Sequence, residues 1–475
     1  MGDNTPIGDP PPVPFSPSVA NTLTNAASGG GLREFSPNAT APYALAWNFG
    51  IQRELPWNLF LSASYVGNRV LHLPSMLNEI NQLNPATLSA LCPDPAPDAT
   101  GHVTNPTCLL SPDNPNGTAW TGAPQQAALQ SLGFPLAPAI TCPANSNNPG
   151  LSQGPAYAPY ATFACDWGTG FSVQQAVLPY PMYGPSESAG GLTNTWDMNG
   201  TAFYNALQVQ GQKRFTNGLS FLVSYTLSRT MSNTDTGFTT FNNGSQNRYN
   251  QKEEWSLASN DQTHILTISG VYELPIGPHK KFANYNNAAA RLLLGGWQIS
   301  GILNYSSGTP QAVYSYLFGN GFYDVYGNAL NRANIVSGQP LNLNYGSYRK
   351  SLGQCTDSNN PCATAAATAF NTNAFAFPGY TGGNSPREIG GIRSAFGKNE
   401  NVGLAKHFHF TERVDAELRM EFFNVFNRVI PCTPDTNLYD GPLKFGVINN
   451  NGSGGSNPCQ ANAPRQGQAF FKVSF

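Results

Sequence analysis

In VDAELRMEFF, Val414–Phe423, apolar and polar residues alternate without a slip. Val414, Ala416, Leu418, Met420 and Phe422 fall on one side, and Asp415, Glu417, Arg419 and Glu421 on the other. A period of two describes an extended strand with one apolar face. The pattern recurs in LSFLVSYTLS, where Leu219, Phe221, Val223, Tyr225 and Leu227 share a face. YALAWNFGI repeats it with Tyr43, Leu45, Trp47, Phe49 and Ile51, and WQISGILNY with Trp297, Ile299, Gly301, Leu303 and Tyr305. Helical periodicity is scarce. The alternation predicts nine strands, at about 42–52, 58–71, 200–215, 219–232, 262–274, 296–309, 397–410, 414–428 and 465–475. Many exceed the five or six residues usual in globular sheets. They match the roughly ten residues that cross a bilayer at a tilt.

The connections sort by length. ELPWN (Glu54–Asn58), TNG (Thr216–Gly218) and TER (Thr411–Arg413) are short, and Pro275–Gly295 is intermediate. Long segments fill about 72–199, 233–261, 310–396 and 429–464. Short turns on one side and long loops on the other are the plan of an antiparallel transmembrane β-barrel, with periplasmic turns and extracellular loops. The four apolar faces quoted above carry no charge. Lys213, Glu273 and Lys406 read as outward charges near the periplasmic end, where a long side chain can snorkel.

Composition agrees. Only 11% of the 475 residues are charged, against about 25% in a typical soluble protein. The nearest thing to an apolar run, AAARLLLGGW (Ala288–Trp297), is far short of the ~20 residues of a spanning helix. A formal net charge of −2 gives no reason to expect nucleic acid as a partner. The opening MGDNTPIGDPPPVPFSP has no basic n-region and no apolar h-region, so it does not read as a signal peptide. Residues 1–41 read as a disordered or extracellular loop segment ahead of a barrel portion at 42–475.

All eight cysteines fall in the long connections. Cys92, Cys108, Cys142 and Cys165 lie in the first, Cys355 and Cys362 in the third, and Cys432 and Cys459 in the last. Each loop holds an even number. Pairing within loops would leave three of the 105 connectivities open to eight cysteines. Disulfides there fit an oxidising compartment. No C-x-x-C spacing occurs, which argues against a zinc ribbon.

Candidate chemistry is sparse. His407 and His409 share a strand face and could hold a metal, but read more simply as polar lining of a wet lumen. Asp415, Glu417, Arg419 and Glu421 could be paired carboxylates for acid–base work; their alternation reads better as a solvated barrel interior. No catalytic motif appears in a strand–turn–helix context. PYPMYGPSESAGG (Pro179–Gly191) could stack on a ligand or simply pack its own loop. The N-x-S/T triplets at Asn116 and Asn243 would matter only in a eukaryotic secreted protein. No enzyme activity, cofactor or metal is expected.

YALAWNFGIQRELPWNLFLSASYVGNRVLHL, YNALQVQGQKRFTNGLSFLVSYTLSRTMSN, GGWQISGILNYSSGTP and RVDAELRMEFFNVFN resemble the barrel of TonB-dependent outer-membrane receptors, closest to the Oar-like group. The resemblance runs in patches from about residue 41 to 475 and is poor in the long loops. The closing AFFKVSF is similar to the family's C-terminal assembly signal, which implies recognition of Phe471, Val473 and Phe475 by the barrel-assembly machinery. Phe475 is then expected as the last rung of the sheet. Family members carry a signal peptide, a plug and a 22-stranded barrel, and import scarce or large ligands with energy delivered through TonB. Nine strands correspond to the C-terminal part of such a barrel. The resemblance therefore implies a fragment, from a truncated gene model, a split gene or a decayed copy. Outer-membrane lipid is an expected partner, the ligand is unknown, and the TonB complex is a partner only where a plug is supplied. Two other readings remain at this point: a self-standing porin-like or adhesin barrel, and a secreted disulfide-rich carbohydrate-binding β protein. The last would leave exposed apolar stripes prone to aggregation in water.

Overall fold

A computed structural model describes residues 40–75, 82, 84, 140–146, 149–150, 197–234, 245–278, 280–285, 292–315, 332–342, 368–378, 382–410, 414–441, 444–448 and 461–475. It also gives the backbone of short strands at 32–35, 136–137, 152–153, 156–157 and 192–195.

Nine long strands form one sheet: β1 (Tyr43–Leu55), β2 (Leu59–Ser75), β3 (Asp197–Thr216), β4 (Leu219–Ser232), β5 (His264–Glu273), β6 (Trp297–Ser306), β7 (Gly397–His409), β8 (Asp415–Phe423) and β9 (Gln466–Ser474). Each pairs antiparallel with the next in sequence. A two-residue strand, Ser256–Leu257, adds to the long-loop end of β4. Among the described residues the sheet does not close: there β1 pairs only with β2, and β9 only with β8.

The registers join the apolar faces into one surface. Phe49 lies opposite Tyr65, which lies opposite Leu207, which lies opposite Leu227. Further round, Ile299 pairs with Leu404, Leu404 with Met420, and Met420 with Ala469. Directly opposed residues share a face, so these positions all point outward. Gly67 sits on this surface under the indole of Trp47, which fills the place a Cβ would need (2.2 Å).

The short turns are built from left-handed residues. Asn217 and Gly218 have φ of 53° and 77°, the Asn-Gly pairing that suits a two-residue hairpin. Trp57 and Asn58 adopt φ of 66° and 58° between β1 and β2. Asn58 Nδ2 donates to Thr216 Oγ1 at 2.8 Å, so the two neighbouring turns are tied together. The turn between β7 and β8 is closed by Phe410 N–H donating to Val414 O at 3.1 Å.

Some boundaries differ from the expectation. β2 runs on to Ser75 and β3 begins at Asp197, so the first connection is shorter than 72–199. A bulge marks the extension, where His72 has φ of 57° and the register shifts between Leu71 and Leu73. β8 stops at Phe423 rather than 428. Asn424 turns left-handed (φ 49°) and its side chain is used locally: Nδ2 donates to Arg428 O and Ala463 O, and Oδ1 accepts from Arg428 N–H. The last connection therefore begins before 429. Lys213 and Lys406 lie on outward registers, opposite Phe221 and Trp297. Glu273 does not: it lies opposite Gln298 on the inner face and pairs with Lys280 at 3.2 Å.

Candidate functional site

Two regions could meet a solute: the inner wall of the sheet, and the long connections above it.

On the inner wall, the residues between the outward ones are mostly small or polar. Ser220, Ser269, Ser300 and Gly403, with Gln212, Asn401 and Glu421, share a cavity of about 480 Å³ with the apolar Leu222, Val271, Ile302 and Phe423. Gly403 keeps it open, since a Cβ there would come within 2.6 Å of Ser300 Oγ. Below it, Arg419 bridges two carboxylates of its own strand, Glu417 at 2.6 Å and Glu421 at 3.5 Å. Gln468 donates to Glu421 at 2.6 Å. Alternate residues of one strand thus form a partly exposed ion ladder along the inner face. His407 and His409 share this face, opposite Glu417 and Asp415. His407 is hydrogen-bonded to Gln298 (3.0 Å), and His409 to Asp415 (2.6 Å). Among the described residues no group of three or more His, Cys, Asp or Glu could hold a metal ion.

The long connections are not open loops where they are described. Segments of the third and fourth pack into an apolar core of Val313, Ala333, Phe370, Ala374, Phe375, Ile389, Ile392, Leu438 and Phe445. Three phenylalanines meet edge to face: Phe370 with Phe445 at 5.2 Å, Phe370 with Phe375 at 5.7 Å, and Phe375 with Phe445 at 6.1 Å. Such pairs add to plain burial. Backbone bonds stitch the connections together, as Leu438 N–H donates to Tyr314 O and Ala369 N–H to Gly446 O.

A buried polar seam fastens this cap to the other connections. Glu254 and Arg332 form an ion pair at 3.0 Å with side chains 2% and 3% exposed. Gln246 N–H donates to the same Glu254 carboxylate, and the Gln246 amide spans from Arg332 N–H to Gly383 O. Gln82, from the first connection, donates to Gln246 O and accepts from Arg248 N–H. Arg387 donates to Glu254 O and Ser232 O, the latter at the end of β4. Arg393 pairs with fully buried Asp261 at 2.7 Å. The second and third connections are thereby locked to each other and to the sheet. In the fourth, burial pushes the Asp435 carboxyl up to about 6, with nearby Asp440 acting in the same direction.

Sequence reasoning missed this seam. Glu254 and Arg332 stand 78 residues apart, and nothing in their neighbourhoods pairs them. Of the cysteines, Cys142 and Cys432 are disulfide-bonded; Cys92, Cys108, Cys165, Cys355, Cys362 and Cys459 lie outside the described residues, as do Pro179–Gly191, Asn116 and Asn243. Phe471 and Val473 occupy outward registers opposite Leu418 and Ala416. Phe475 is not a rung. The ladder ends at Ser474 opposite Asp415, and Phe475 stands fully exposed beyond it. Its would-be partner, Val414, belongs to the turn.

The model of the family described as "Outer membrane beta barrel domain" matches residues 2–468. The chain belongs to this family. It is an outer-membrane protein built on an antiparallel β-sheet that spans the bilayer. Similar solved structures include the outer membrane transporter YddB from Escherichia coli, at 6% identity and TM-score 0.37, covering 94% of this chain and 34% of that one. P. aeruginosa FpvA, solved with bound pyoverdines, gives 9%, 0.30, 91% and 27% for the same quantities. The copper transporter OprC gives 9%, 0.28, 93% and 33%. The chain thus spans about a third of the length of these structures, and likeness this distant says nothing of activity. No curated protein matches the chain.

Proposed function

We propose that this chain is the ligand-facing C-terminal sector of an Oar-like TonB-dependent receptor, a binding and import protein with no enzymatic chemistry. The observation that carries this reading is the open sheet beneath a locked cap. Among the described residues, β1 and β9 are the edges of the sheet, each paired on one side only. Such edges are very costly in lipid, so further strands must pair with them. A wider barrel built that way would hold a solute-sized lumen under the cap. Its inner wall has the hydroxyl, amide and carboxylate groups that bind polar solutes, and the cap is positioned to select them.

Reading the gene in frame upstream of codon 1 tests the fragment claim. Further alternating strands and a plug are expected there; a stop or unrelated sequence would sink it. Import is tested separately, by following which solutes leave the medium in cells with and without the gene. Uptake that stops when a protonophore collapses the inner-membrane gradient supports energised import. Uptake indifferent to the protonophore would make the protein a porin, and none at all would leave it an adhesin.

A further inference from the structure

The buried acids of the cap and its margin follow a rule. Glu254 is met by Arg332 at 3.0 Å, Asp261 by Arg393 at 2.7 Å, and Glu400 by Arg428 at 3.3 Å. A carboxylate withdrawn from water needs a countercharge, and each of these has one. Asp435, in the fourth connection, departs from the rule. It is 4% exposed, and what lies against it is a second acid, Asp440, within hydrogen-bond reach. Among the described residues no Lys, Arg or His forms an ion pair with either carboxylate; Lys444 is exposed and acts on Asp435 from farther off.

The chain pins this pair of acids. Asp435 N–H donates to Val447 O at 2.9 Å, and Gly446 N–H donates to Asp435 O at 2.8 Å. Asp435 Oδ1 accepts from Asn437 N–H at 2.9 Å. Asn437 Nδ2 donates to Asp440 Oδ1 at 3.0 Å, and Asp440 N–H to Asn437 O at 3.1 Å. Leu438 lies between the two acids and Phe445 beyond them, both set in the apolar core of the cap. One atom is left over. Asp435 Oδ2 is buried, and no hydrogen bond among the described residues reaches it. A buried, unmet carboxylate oxygen is rare in a folded protein and marks the place of a missing partner.

We propose that Asp435, Asn437 and Asp440 form a site for a hard divalent cation of the calcium type. The donors at hand are oxygens: Asp435 Oδ2, the Asp440 carboxylate, and the Asn437 side-chain carbonyl once its amide turns over. The set has no nitrogen or sulfur ligand of the kind that selects a transition metal. Calcium takes about six to eight oxygens in irregular arrangements, water among them, whereas magnesium demands a near-ideal octahedron. Asp440 is only partly buried, so water completes the shell on its side. The cation would give Asp435 the countercharge that arginines give Glu254, Asp261 and Glu400. It would also fasten residues 435–440 to the core they flank, so that the cohesion of the cap follows the calcium of the surrounding medium. The inference concerns the cap and does not depend on the import reading.

The test uses the full chain folded in detergent at neutral pH, with calcium chloride as the probe. Limited proteolysis of the fourth connection, by a protease that needs no metal, is the readout. Relative to a chelator, about 10 mM calcium should slow cleavage about tenfold to a hundredfold, given the affinities usual for extracellular calcium modules. Asp440→Asn removes one of the two facing charges and a ligand of the cation. It should resist cleavage better than the parent chain in chelator, and calcium should no longer change its rate. A merely structural role for Asp440 predicts the reverse, faster cleavage that calcium still slows. Glu253→Gln, an exposed acid of the second connection, should leave the calcium response intact. No protection by calcium would overturn the proposal and leave a proton shared by the two carboxylates as the partner of Oδ2. Protection that survives Asp440→Asn, that is lost equally with Glu253→Gln, or that sodium chloride of equal ionic strength reproduces would overturn it as well.

Discussion

Phe49 in the sheet is 69% exposed, and Phe370 in the cap is 1% exposed. Both are apolar residues of one chain, and both are correctly placed for the medium that surrounds them. In the sheet, apolar side chains point out and the ion ladder of Glu417, Arg419 and Glu421 points in. In the cap, phenylalanines form the centre and water lies outside. The hydrophobic core of this protein therefore sits in its loops, because the bilayer takes the place of a core for the strands. Ionic groups reverse likewise. The sheet leaves its ion ladder partly exposed, whereas the cap buries Glu254 and Arg332 almost completely. A buried pair is weak evidence of net stability, but removing one partner leaves a bare charge and is strongly destabilising.

That contrast can be broken at chosen points. Arg332→Leu strands Glu254 and should cost the cap about 3–5 kcal/mol. Hydrogen exchange should accelerate across 245–261 and 382–393 and leave β5 and β6 protected; loss of protection in those strands would show that cap and sheet are one cooperative unit. Phe370→Ala removes the ring that both other phenylalanines touch, for about 3–5 kcal/mol. Limited proteolysis should then cut the third and fourth connections first.

Neighbouring positions in β4 test the sheet. Val223→Arg puts a charge on the outward face and should cost about 2–4 kcal/mol in lipid, while Ser224→Arg faces the lumen and should cost little. Urea titrations in liposomes measure both, and equal costs would refute the assignment of faces. The smallest effect is expected from pH. The raised folded pKa of Asp435, about 6, means that the folded cap binds more protons than the unfolded chain between its ordinary range and that value. The cap should therefore gain stability as pH falls from above 6 towards 4, and Asp435→Asn should remove that part of the dependence. Proteolysis rates of the cap across that window provide the check.

The strands were legible because each spans a boundary between lipid and water, and that boundary imposes strict alternation. Where both faces hold apolar residues the pattern fails to choose. In HILTISGVYE, Ile265 and Val271 face inward alongside outward Leu266 and Ile268, so Glu273 was read onto the wrong side. A one-residue ambiguity flips every side chain, and only pairing with β6 resolves it. The end of β8 was missed for a related reason. Asn424 is compatible with a continuing strand until Arg428 and Ala463 supply partners for its amide.

The sequence by itself determined the number of long strands, their order of length and turn, and the face each turns to the bilayer where alternation is clean. These follow from local periodicity in a two-phase solvent. Tertiary structure alone decided that the long connections fold into a cap, that Glu254 finds Arg332 and Gln82 finds Gln246, and that Phe475 lies beyond the ladder. Those outcomes depend on contacts between residues far apart in the chain. No period records such contacts, because each half of the pair is an ordinary polar or apolar residue until the other arrives.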